Sequence, residues 1–205
     1  KFVAYLYIIY TTEEEKMTST QRETVNIHAE YPRVSEILGQ WPRFEGIDPL
    51  ILANKAAIGT AVHAAIRAHQ EGIDLPLRES EQGYYDSYLR WEEEMKPSIC
   101  AAELSLQCEK FRFRGTVDAI MKIDSSPLPT LVDYKTSVKE DPKFWPAQGA
   151  FYCHLAKENG FQIGPEYLFM KLDKKGGKPT VYIYKVTLEV WSFCVAALTT
   201  YTYRK

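Results

Sequence analysis

Apolar positions along this chain change their period twice. From Ala53 to Glu71 they recur every three or four residues, Ile58, Val62, Ala65, Ile66 and His69 forming one stripe that Gly72 stops. The spacing predicts a helix. Glu79 to Lys96 repeats the pattern with Tyr84, Tyr88, Trp91 and Met95 and ends at Pro97, which predicts a second helix whose aromatic stripe serves packing rather than base stacking. Near residue 100 the period shortens, and β-branched and aromatic runs at 100–109, 111–123 and 130–136 predict three strands. Asp141-Pro142 offers an N-cap followed by proline at the first helical position and Gly160 offers a stop, which predicts a helix between them. Tyr167–Leu172 and Thr180–Val186 read as a hairpin, and Leu188 to Thr200 as an apolar helix covering the sheet.

Ahead of these, Tyr31 to Gly39 is a short helix with Val34, Ile37 and Leu38 on one face, and residues 18–30 are a polar loop. Residues 1–16 are aromatic and β-branched and then acidic. Their apolar part is too short to span a bilayer and lacks a cleavage pattern, so no membrane role is expected, and a strand or a fragment of an upstream segment remain open. The element order makes the chain α/β, a central mixed sheet of about five strands flanked by helices. Its helical part, 31–98, would form one wall of a channel, followed by a sheet core at 99–187 and a C-terminal helix at 188–203. Residues 1–30 stand apart.

Composition adds limits rather than a function. At 205 residues and 45% hydrophobic the chain can bury one ordinary core, and it has no low-complexity tract. Net charge of −2 and a pI near 6.1 carry no global nucleic-acid signature, so any such contact must come from local basic patches. Cysteines at 100, 108, 153 and 194 include no C-x-x-C pair and are expected to be reduced thiols.

The candidate chemistry lies in Gly115-Thr116-Val117-Asp118-Ala119-Ile120 and Leu131-Val132-Asp133-Tyr134-Lys135-Thr136. The two-residue period of a strand puts Asp133 and Lys135 on one face. The turn-rich Ser125-Ser126-Pro127-Leu128-Pro129 lies midway between, and a hairpin folded there sets Asp118 opposite Asp133. Two carboxylates about 4.5–5.5 Å apart repel unless a cation holds them. Oxygen donors at an open position suit Mg²⁺ or Mn²⁺, which can activate water and neutralise charge on a phosphoryl group. That chemistry is phosphodiester hydrolysis, although an ordinary hairpin with solvated charges has the same spacing.

Four motifs in order resemble the RecB-like, phage-type exonuclease branch of the PD-(D/E)XK nuclease superfamily, over roughly residues 31 to 190: Gly59-Thr60-Ala61-Val62-His63, Gly115-Thr116-Val117-Asp118, Asp133-Tyr134-Lys135 and Gln148-Gly149-Ala150-Phe151-Tyr152. The resemblance implies a restriction-endonuclease-like core in which His63, Asp118, Asp133 and the Tyr134 carbonyl hold Mg²⁺ or Mn²⁺. Lys135 would act on the attacking water or the phosphate, and Gln148 and Tyr152 would position it. Glu103 is either a further acid near the metal or a solvated edge residue. Strand alternation sets Arg112 and Arg114 on the face of Asp118, provided Gly115 makes no bulge, where they would flank a phosphate chain. Lys171, Lys174, Lys175 and Lys178 form the densest positive patch, either a solvated turn or a contact to a DNA backbone.

Gly59 within a helix is expected to mark close approach to another backbone. The cysteine spacing does not match that of the iron–sulfur relatives, so no cluster is expected. The implied function is DNA cleavage from ends in recombination, repair or replication, by a bacterial or phage-encoded protein in the cytoplasm, with an organelle as the alternative location and a recombination or replication protein as partner. An endonuclease or end-processing subunit of the same fold, and a catalytically silent DNA-binding scaffold, are the alternatives.

Overall fold

The computed structural model describes residues 30–41, 45–123 and 127–204. The expectations for residues 1–16, for nearly all of 18–30 and for Ser125-Ser126 lie outside the described residues. Helix α1 is Val34–Leu38, with all three apolar residues of its expected face buried and the Glu36 carboxylate accepting from the Arg33 amide at 2.7 Å. Helix α2 is Pro49–Gln70, four residues longer at its start than the apolar stripe implied. The cause is Asp48, whose carboxylate accepts from the Leu50 amide at 2.7 Å ahead of a proline at the first turn. Helix α3 is Glu79–Met95 and buries Tyr84, Tyr88 and Trp91.

Strands β1 (Ser98–Cys108), β2 (Phe113–Lys122) and β3 (Thr130–Lys135) follow. Helix α4 then spans Phe144–Glu158, starting later than expected, because Asp141 caps a turn: its Oδ1 accepts from the Phe144 amide at 2.9 Å. Strands β4 (Glu166–Lys171) and β5 (Thr180–Lys185) and helix α5 (Leu188–Tyr203) complete the chain.

The strands form one five-stranded mixed sheet in the order β1-β2-β3-β4-β5. All neighbours are antiparallel except β3 and β4, which run parallel and are joined by α4 as a crossover. Side-chain alternation divides the core between the two faces of the sheet. Leu131, Tyr167 and Phe169 pack with α1, α4 and α5 around Ile37, Phe151 and Leu155, whereas Val132, Tyr134, Leu168 and Met170 pack with α2 and α3 around Val62, Ile66 and Tyr88. Helix α2 is long and apolar enough to cross a membrane by length and composition, but Ile58, Val62 and Ile66 are buried in this second core. The sheet with helices on both faces is the α/β architecture expected from the element order.

Candidate active site at the fork between β2 and β3

The β2–β3 ladder covers only the pairs Ala119–Val132, Ile120–Leu131 and Met121–Thr130. The same register carried one step further sets Asp118 opposite Asp133, but there the strands part. Asp118 replaces the missing ladder bond, its Oδ2 accepting from the Tyr134 amide at 2.7 Å. Buried backbone donors need a partner, so this bond fixes the carboxylate in the fork. Asp133 is 2% exposed, and its Oδ2 forms an ion pair with the Lys135 ammonium. The Lys135 ammonium also lies 5.0 Å from the centre of the Phe169 ring, on the strand next to it.

His63 reaches the fork from α2. Its Nε2 is 3.0 Å from the Tyr134 carbonyl oxygen and its Nδ1 is 3.4 Å from Asp118 Oδ1. Gly59, one turn earlier, approaches a side chain rather than a backbone: a Cβ there would lie 3.3 Å from the Thr136 hydroxyl oxygen. Glu103 arrives from β1 in a left-handed conformation, φ 49°. One donor atom from each of His63, Glu103 and Asp118 falls within 4.8 Å of the others.

These groups set one another's charge. Burial opposes the His63 imidazolium, but the carboxylates of Asp118 and Asp133 outweigh it and raise its pKa to about 9. Burial opposes the Asp118 carboxylate too, yet His63, Lys135 and the Tyr134 amide hold its pKa below the ordinary value. Asp133 moves the other way, pushed up to about 7 by burial and by Asp118 against the pull of Lys135. Burial and Asp118 likewise raise Glu103. A fork that raises two carboxylic acids beside a histidine held as a cation is short of positive charge. Carboxylate, carbonyl and imidazole donors are a set that fits Mg²⁺ or Mn²⁺, so the residues present suit a divalent ion.

The other expected residues divide between the fork and its margins. On α4 the Gln148 Nε2 donates to the Tyr152 hydroxyl at 3.1 Å while its Oε1 is buried without a hydrogen bond. The Tyr152 hydroxyl is pushed well above its ordinary value by burial and by Asp133, Asp118 and Glu103, which puts the pair within electrostatic reach of the fork. Arg114 lies on β2 with no register break at Gly115, but its Nε donates to the Tyr31 carbonyl at 2.9 Å, so the guanidinium secures the segment leading into α1. Arg112 departs from the expected strand face: β2 begins at Phe113, and Arg112 sits in the preceding turn at φ 53°.

Lys171 ends β4 beside Lys135 and donates to the Val138 carbonyl at 3.5 Å. Lys174 and Lys175 are exposed on the β4–β5 turn. That turn is docked on α3, where a Cβ on Gly83 would come within 1.8 Å of the Lys174 carbonyl oxygen. Lys178 is paired with Glu94 at 2.6 Å.

Sequence reasoning missed two parts of the surroundings. One is a cavity of about 250 Å³ beside Tyr152, lined by Arg33, Ser35, Ser105, Arg114 and Thr116 among others. It exists because Arg33 bridges to Arg114 across distant sequence, for which no local spacing gives a signal. The other is a polar chain behind the fork, in which Gln70 Nε2 donates to the hydroxyls of Tyr88 at 3.0 Å and Tyr134 at 3.3 Å, and Tyr88 donates to Glu92 at 2.7 Å. Gln70 falls one turn beyond Ile66 on the same helix, and that is the signal that was available.

A family model described as the PD-(D/E)XK nuclease superfamily matches residues 77–192, more than half of the chain. Among solved structures, a crystal structure of LHK-Exo in complex with dAMP superposes with a TM-score of 0.47 at 9% identity, covering 85% of this chain and 87% of that one. No curated protein matches the sequence.

Proposed function

The chain belongs to the PD-(D/E)XK nuclease superfamily, and on that premise we propose that it is a divalent-metal-dependent deoxyribonuclease that cuts DNA from its ends in recombination, repair or replication. The observation that carries this reading is the fork itself. Asp118, Asp133, Lys135 and His63 come from β2, β3 and α2 to one point, where the carboxylates of Asp118 and Asp133 are both buried.

In this reading Asp118, Asp133, His63 and the Tyr134 carbonyl hold Mg²⁺ or Mn²⁺, with Glu103 as a further acid at the edge. Such an ion would lower the pKa of water and offset charge on the phosphoryl oxygens. Lys135 donates hydrogen bonds to the attacking oxygen or to a non-bridging phosphate oxygen as a new P–O bond forms and the scissile one breaks. Gln148 and Tyr152 position Lys135 and the strand that bears it. Arg114, with Lys171 at the end of β4 and Lys174 and Lys175 on the turn beyond it, contacts the DNA backbone as it passes, and Arg112 acts more remotely. A cytoplasmic location and a recombination or replication protein partner accord with a DNA substrate.

The test is cleavage of 5′- and 3′-labelled single- and double-stranded linear DNA and of a covalently closed circle, each with Mg²⁺, Mn²⁺ or chelator. Labelled mononucleotides or short products from linear DNA alone are expected. A cut circle would make the chain an endonuclease or end-processing subunit. Tight binding with no cleavage under any metal would make it a scaffold.

A further inference from the structure

A second set of candidate metal donors lies where the end of β1 meets α4. Cys108, the last residue of β1, is fully buried, and its Sγ is 3.6 Å from His154 Nε2 on α4. Glu158, one turn further along α4, has Oε1 3.9 Å from the same nitrogen. One donor from each residue lies within 4.8 Å of the others. The imidazole is held in place on both sides, with ring centres 4.5 Å from Trp191 and 6.1 Å from Phe113 in stacked orientation and Phe111 edge-on at 5.3 Å. Burial holds the His154 pKa below its ordinary value, leaving a neutral ring with a lone pair to offer.

A simple S–H···N hydrogen bond accounts for the contact between Cys108 and His154 but leaves the Glu158 carboxylate 3.9 Å from the same nitrogen, beyond hydrogen-bond reach. A cation at the centre of the three satisfies all of them. Bonds of about 2.3 Å to sulfur and 2.0–2.1 Å to nitrogen at a tetrahedral angle separate the two donors by about 3.6 Å. The observed separation matches that edge. Glu158 lies 3.9 Å from the nitrogen and has to move inward to bind, and its side chain is 43% exposed.

We propose that Cys108, His154 and Glu158 form a zinc-binding site with a fourth position open to water, which ties the end of β1 to the helix that carries Gln148 and Tyr152. The thiolate selects a borderline-soft ion and rejects Mg²⁺ and Ca²⁺, so this site and the fork take different metals. The inference does not depend on the nuclease reading.

The test uses the full chain, reduced, in an Asp118→Asn/Asp133→Asn/Cys100→Ser background that removes the carboxylates of the fork and the exposed thiol. Co²⁺ titration should give a saturating thiolate-to-metal charge-transfer band in the near ultraviolet, displaced by Zn²⁺, and Zn²⁺ should raise the melting temperature. Cys108→Ser in that background should abolish the band. Glu158→Gln, at an exposed position that does not threaten folding, should weaken Co²⁺ binding about tenfold or more. Absence of the band, its survival in Cys108→Ser, or unchanged Co²⁺ affinity in Glu158→Gln would each overturn the site and leave a hydrogen-bonded packing pair. Should Cys108→Ser fail to fold, the Glu158→Gln titration decides.

Discussion

His63 and His154 each stand on a helix laid across the sheet, each with a carboxylate nearby, at 3.4 Å from Asp118 and 3.9 Å from Glu158, yet they are driven to opposite charge states. Burial lowers the pKa of both. Around His63 the carboxylate is itself buried, Asp133 adds a second, and the outcome is about 9. Around His154 the carboxylate is exposed and screened, and Lys110 and Lys157 repel a proton, so burial prevails. A neighbouring acid therefore raises a histidine decisively only when the acid has lost its water as well.

Asp118→Asn breaks the contrast most completely. His63 would then keep the burial penalty without its main counter-charge, and its pKa should fall by more than a unit in an NMR titration of the imidazole. The same substitution, or Asp133→Asn, should remove Mn²⁺ binding by calorimetry and with it all measurable cleavage. Unchanged Mn²⁺ affinity in both variants would contradict a site made of the two carboxylates. Lys135 has no counterpart near His154, and Lys135→Ala should lower the cleavage rate at least ~10²-fold while leaving the fold intact, as removal of a single transition-state donor does. Normal turnover in the purified variant would remove Lys135 from the chemistry.

His63→Ala should raise the metal concentration needed for half-maximal cleavage about tenfold and weaken the preference for Mn²⁺ over Mg²⁺, since imidazole favours transition ions. An unshifted activation curve with a lowered melting temperature would make His63 a packing residue. The pH dependence of stability in chelator sharpens the comparison further. The stabilisation due to a His63 raised from 6.5 to about 9 is complete below pH 6.5 and is lost as pH rises through 9. Asp133, raised from 3.8 to about 7, loses stabilisation in the same direction at lower pH. The melting temperature of the metal-free protein should thus fall from pH 6.5 to pH 9, and His63→Ala should flatten that slope. His154, whose pKa is lowered, acts below pH 6.5, so His154→Ala should leave the slope unchanged.

Much of this site could be read from the chain because its parts are local. The midpoint of a turn-rich segment set the β2–β3 register, and the period of a strand set Asp133 beside Lys135. Asp-Pro pairs show where such reading fails. The pair at 48–49 starts α2 and was overlooked because the apolar stripe begins later, whereas the pair at 141–142 caps only a turn. Both offer the same local chemistry, and tertiary packing decides how far helix extends from each. Contacts between distant segments left no trace in the pattern. The Arg33–Arg114 bridge that shapes the cavity and the meeting of Cys108 with His154 both join residues that share no short spacing. The left-handed turn at Arg112 breaks a strand that alternation alone would have continued.

Glu103 brings its acid to the fork at the cost of a backbone conformation, φ 49°, that an L-residue adopts only under constraint, in the middle of an edge strand. Left-handed geometry disfavours a residue with a Cβ by about 1 kcal/mol, and glycine escapes that penalty. Glu103→Gly should therefore melt a few degrees higher than the parent chain and cleave DNA more slowly, with both effects small beside those at Asp118 and Lys135. A lower melting temperature would mean that the constraint is repaid locally. If both outcomes hold, the stable choice and the active choice differ at this position, which would make it a site of conflict between selection for a durable fold and selection for turnover. Lineages released from the need to cut DNA would be expected to lose this acid early, well before their sheet or its cores began to drift.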